Sequence, residues 1–87
     1  MAYKLNLNVE IQPVGDQLIV LDLSGNTYYS LNESARFMLE NLLLGLSRDD
    51  VLNATLNQFD APKDRIATDL DKLISDLVNN RLIVEIP

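Results

Sequence analysis

An 87-residue chain with 13 acidic and 7 basic residues, a net charge of −6 and no cysteine or histidine has room for one small core and no more. The charge argues against a phosphate-backbone partner; without cysteine there is no thiol nucleophile, and without histidine the commonest general base and the commonest transition-metal ligand are both missing. No apolar run approaches the ~20 residues of a membrane span, and the first residues lack the apolar core of a signal peptide. The expectation is therefore one soluble domain over residues 1–87, cytoplasmic, non-enzymatic, and without cofactor, metal, membrane or nucleic-acid partner.

Residues 3–12 alternate, with Tyr3, Leu5, Leu7, Val9 and Ile11 on one face and Lys4, Asn6, Asn8, Glu10 and Gln12 on the other. That is the pattern of a strand with one buried face. Pro13-Val14-Gly15-Asp16 reads as a turn. Leu18-Ile19-Val20-Leu21 is apolar on both faces and suits a middle strand. The chain turns again at Gly25, and Asn26, Thr27, Tyr28, Tyr29, Ser30 and Leu31 return as a third strand. Tyr28 and Tyr29 point to opposite faces, so at most one joins Leu31 in the core.

After Asn32 the period becomes helical. Asn32 is a cap, and Glu33 favours the positive end of the helix dipole. Ala35, Met38, Leu39, Leu42, Leu43 and Leu46 form a stripe, with Gly45 as the stop. Ser47 and Asp50 have capping-box spacing for a second helix carrying Val51, Leu52, Thr55, Leu56 and Phe59. Asp60-Ala61-Pro62 opens a third, striped by Ile66, Leu70, Leu73, Ile74, Leu77 and Val78 and ended at Asn79-Asn80. Leu82 to Ile86 is a short extended tail. The fold class is α+β and winged-helix-like: a three-stranded antiparallel sheet followed by three helices.

The third strand is short, aromatic and β-branched, and little nearby sequence can cover it on both sides. An uncovered strand edge is a template for another peptide. Other chemistry finds little support. Asp60, Asp64 and Asp69 lack the glycine and dense oxygen ligands of a calcium loop. The serines have no histidine to activate them, and Asp49-Asp50 read as dipole partners of the second helix.

Several residues in order carry a family resemblance: Leu21-Asp22, Gly25, Tyr28-Tyr29-Ser30-Leu31-Asn32, Ala35, Gly45, Asp69-Leu70, Leu73, Leu77 and Leu82-Ile83. Over residues 16–84 the chain resembles the PqqD-like proteins, also called RiPP recognition elements. That resemblance implies binding of the leader segment of a ribosomally made precursor peptide and its presentation to a separate enzyme. It further implies that the leader adds as an antiparallel strand beside Asn26 to Leu31, in a groove walled by Ile66, Asp69, Leu70, Leu73 and Leu77. Asp69 reads either as a solvated charge or as a hydrogen-bond partner of the peptide.

Tyr28-Tyr29, and Leu43-Leu44 before Gly45, look closer to the stand-alone recognition proteins of lasso-peptide pathways, whose partner is a cysteine peptidase. The alternative is a PqqD-type peptide chaperone for a radical SAM enzyme. From other classes come a winged-helix DNA-binding regulator and a module that dimerises through its edge strand. The regulator's reading helix would carry Asp64, Asp69, Asp71 and Asp76 against Lys63, Arg65 and Lys72, the wrong sign for a phosphate-lined groove.

Overall fold

Two asparagines break the first expected strand in the computed structural model, which describes residues 2–87. In place of one strand over residues 3–12 there are β1 (Ala2–Leu5) and β2 (Val9–Val14). Between them the Leu7 N–H donates to Asn6 Oδ1 at 2.9 Å, and Asn8 adopts φ 63°, a left-handed conformation that asparagine tolerates. Leu7, expected on the buried face, is therefore 86% exposed. Tyr3, Leu5, Val9 and Ile11 do pack on the core. β2 also runs through Pro13 and Val14, which were expected in the turn. The reversal is the two-residue loop Gly15-Asp16, with Gly15 at φ 59° and Val14 opposite Gln17.

β3 (Gln17–Asp22) lies between β2 and β4 (Thr27–Leu31), antiparallel to both. The β3–β4 turn is organised by Asp22, whose Oδ1 accepts the N–H groups of Ser24 and Gly25 at 3.1 and 3.2 Å. A Cβ on Gly25 would lie 2.8 Å from Asp22 Oδ2, so close approach explains that glycine. The left-handed position falls to Asn26, at φ 56°. Asn26 thus belongs to the turn, one residue before the strand in which it was expected.

α1 (Glu33–Leu43) begins as its sequence requires, with Asn32 Oδ1 accepting the Ala35 N–H at 2.9 Å. It ends in a Schellman arrangement. Gly45, at φ 96°, donates its N–H to the Leu42 carbonyl at 3.0 Å, and Leu46 donates to Asn41 at 3.3 Å. α2 (Arg48–Gln58) is capped by Ser47 Oγ, which accepts the Asp50 N–H at 3.2 Å. Phe59 lies just past the helix and meets Phe37 of α1 edge to face, with ring centroids 5.6 Å apart. α3 (Lys63–Asn79) starts one residue later than expected, because Pro62 takes the cap position.

The supposed tail is β5 (Ile83–Ile86), paired antiparallel with β1 from Ala2 opposite Ile86 to Leu5 opposite Ile83. Asn6 secures this junction: its N–H donates to the Leu82 carbonyl at 3.0 Å and its Nδ2 to the Arg81 carbonyl at 2.8 Å. The architecture is α+β, with the three-stranded sheet and three helices joined by this extra two-stranded ladder.

Leu18, Val20 and Leu31 point from the sheet to Met38, Leu39 and Leu42 of α1, and the core continues through Val51, Leu70, Leu77 and Ile83. Burying one such side chain is worth ~1.5–3 kcal/mol, which outweighs local propensity in helices of this length. α1 packs on β1, β3 and β4; α3 packs on α1, α2 and β5. α3 stands off from β4, and that gap positions the site.

Candidate functional site

The three-stranded sheet has two outer edges, and they differ. β2 carries Pro13, which has no N–H to offer, beside exposed Glu10 and Gln12. β4 reads Thr-Tyr-Tyr-Ser-Leu without proline, and among the described residues nothing pairs with its far side. An edge blunted by proline discourages strand addition, whereas an open one permits it.

Beside the open edge runs a groove of about 410 Å³. Its walls are Ser30 and Leu31 of β4, Asn32, Ser34, Ala35 and Met38 around the start of α1, and Arg65, Asp69, Lys72, Leu73 and Asp76 of α3. A smaller cavity of about 220 Å³ continues past Ser34, between Phe59, Ala61 and Ile66, and shares Arg65 and Asp69 with the groove. Arg65 and Asp69 share the smaller cavity with Ser34, past the end of β4, whereas Lys72 and Asp76 line only the groove beside Ser30 and Leu31. α3 therefore runs along the groove in the direction opposite to β4.

The expected site residues separate into groups. Ser30, Leu31, Asp69 and Leu73 line the groove, and Ile66 lines the adjoining cavity. Leu70 and Leu77 are fully buried and lie beneath the wall, outside the lining. Thr27 is exposed on the β4 edge, and Asn26 sits in the turn before it. Tyr29 is half-buried and packs on the core with Leu31, so it is the inward tyrosine; Tyr28 is 68% exposed on the opposite face. Ser30 Oγ donates to Gln17 Oε1 at 3.2 Å across the sheet.

The residues that sequence reasoning passed over are Asn32, Ser34, Ala35 and Met38, together with Arg65, Lys72 and Asp76. The three charges share a signal with Asp69: positions 65, 69, 72 and 76 advance by four, three and four, which is one face of a helix beside Leu73. Their electrostatics are unequal. Lys72 Nζ lies 2.7 Å from Asp76 Oδ2, and that bond holds the ammonium above its ordinary range. Arg65 reaches Asp69 only at 3.9 Å.

Away from the groove, Arg48 clamps Asp71 with Nε and Nη2 at 2.8 and 2.9 Å, joining α2 to α3. The guanidinium holds the Asp71 carboxyl below its ordinary value, and its own pKa rises in turn. Among the described residues no helix is long and apolar enough to cross a membrane.

Groove and open edge together leave a row of unpaired main-chain groups facing a wall of side chains, which is the geometry that strand addition requires. The fold is shared with solved structures. One is described as lasso peptide synthetase B1 complexed with the leader peptide; it is 20% identical, with a TM-score of 0.87 over 98% of this chain and 100% of that one. Another, TbiB1 in complex with the TbiA(beta) leader peptide, is 19% identical, with a TM-score of 0.82 over 97% and 98% of the two chains. No curated protein matches the chain in sequence. The profile of the PqqD family, described as coenzyme PQQ synthesis protein D, matches residues 17–83. The resemblance carried by the Tyr-Tyr-Ser-Leu-Asn block and the Asp69-Leu70 helix is thus one of kinship, and the chain belongs to the PqqD family.

Proposed function

We propose that this protein binds the leader segment of a ribosomally made precursor peptide by strand addition to β4 and presents it to a separate processing enzyme. The observation that carries the reading is the open β4 edge lying over a groove from which α3 stands back. The leader pairs antiparallel to Thr27–Leu31. Its inward side chains rest on Leu31, Leu73 and Asp69, while Leu70 and Leu77 support the wall from below. Main-chain pairing supplies affinity with little sequence demand, and the side-chain pockets supply selectivity.

The protein acts as an adaptor in the cytoplasm, without cofactor and without turnover of its own. The partner enzyme is the leader peptidase of a lasso-peptide pathway. The likeness to a lasso peptide synthetase B1 supports that choice over the alternative, a radical SAM enzyme. The test is reconstitution with a lasso-type precursor peptide and a leader peptidase taken from the same source as this protein. Cleavage of the leader should accelerate when this protein is added, and this protein alone should leave the precursor intact. Processing at the same rate with and without it refutes the adaptor role.

A further inference from the structure

Asp69 is the groove carboxylate with the loosest partner. Its neighbour along the wall, Asp76, is held by Lys72 at 2.7 Å, and Asp71, off the groove, is chelated by Arg48. Asp69 has Arg65 at 3.9 Å, at the limit of an ion pair, and that arginine side chain is 75% exposed while the aspartate is 49% exposed. The carboxylate thus lies lower in the wall than the cation nearest to it. It also stands where the groove meets the smaller cavity, since it lines both.

One turn further along α3 lies Leu73, 8% exposed, which with Leu31 and Ala35 makes the apolar part of the groove. Four residues of helix rise about 6 Å. Two residues of strand advance about 6.6 Å, so alternate side chains of an added strand match the Asp69–Leu73 spacing. A peptide antiparallel to β4 runs in the same direction as α3, because α3 and β4 are opposed. Its earlier residue therefore meets Asp69 and its later one meets Leu73. The chain's net charge of −6 adds a field that attracts basic peptides and repels acidic ones.

We propose that Asp69 is a specificity-determining contact that selects leaders with a lysine or arginine two positions before the apolar residue resting on Leu73. This deepens the strand-addition reading and rests on it. In the complex the leader cation takes the Asp69 carboxylate and Arg65 turns out to solvent.

The experiment is selection of a displayed library of short random peptides on the wild-type protein and on Asp69→Asn. The wild type should enrich peptides with a basic residue two places before an apolar one. Asp69→Asn should enrich the same apolar position without the basic preference. A synthesised enriched peptide should bind the wild type about fivefold more tightly at low ionic strength than its lysine-to-glutamate counterpart, as expected for a half-exposed ion pair. Asp69→Asn should abolish that ratio, and Asp69→Lys should invert it. Amide shifts confined to β4 and α3 in each variant show that the site is still folded and occupied. Enrichment of an acidic or indifferent residue at that position overturns the charge rule and leaves strand addition standing. If no enriched peptide shifts the amides of Thr27–Leu31, the strand-addition reading itself falls.

Discussion

Gly45 and Arg81 occupy the same position in two helix ends. Each follows the capping residue in a left-handed conformation, at φ 96° and 59°. Each closes the helix with the same pair of bonds; at the second end Arg81 donates to Val78 at 3.0 Å and Leu82 to Leu77 at 2.8 Å. The first end uses the residue suited to positive φ and the second does not.

A left-handed non-glycine residue costs roughly 1–2 kcal/mol, and glycine there loses back about 0.5–1 kcal/mol of unfolded-chain entropy. Arg81→Gly should therefore stabilise the protein by up to about 1 kcal/mol, while Gly45→Ala should destabilise it by a comparable amount or more. Denaturant midpoints at unchanged m-value check both. The contact from Asn6 to the Arg81 carbonyl is to main chain and survives the change.

The β4 edge makes a second test. Thr27 and Ser30 have opposite parity along the strand, so one N–H points to β3 and the other to the groove. Proline at the groove-facing position should weaken leader affinity with little change in midpoint. At the other it should cost sheet stability as well. Two variants with equal binding losses and equal midpoints would count against pairing at this edge.

Leu70 and Leu73 separate core from site within one helix. Leu70 is fully buried, so Leu70→Ala should cost ~2–5 kcal/mol with no separate binding defect in the molecules still folded. Leu73 lines the groove, and Leu73→Ala should weaken leader binding by more than its stability loss explains. Leader titration and urea unfolding on the same two variants decide the matter.

The Arg48–Asp71 clamp predicts a small pH effect. Its folded carboxyl lies below the ordinary value of 3.8, so the stabilisation is present in full above that value and is lost as the pH falls through the lower folded value. Both side chains are partly exposed, and Asp71→Asn should cost less than about 1 kcal/mol near neutrality. The gap between wild type and variant should close below pH 3.8. A gap that stays open in acid would mean that packing, not charge, joins α2 to α3 there.

The residues by themselves determined the α+β class, the caps at Asn32 and Ser47, the stop at Gly45 and the buried stripes of the helices, because each depends on neighbours within a turn or two. They also marked β4 as an edge candidate, whereas Asp69 and Leu73 were expected in a wall beside it only through the family resemblance. Other features needed the tertiary structure. Alternation over residues 3–12 is the same for one strand or for two broken at Asn8, and only the β1–β5 ladder, which joins the two ends of the chain, selects the second. Leu70, Leu73 and Leu77 are alike in an apolar stripe. Which of them touches the groove depends on how far α3 stands from β4, a distance set by the packing of α3 on α1, α2 and β5. Periodicity records that a side chain leaves water; it carries no information about which distant element meets it, or fails to.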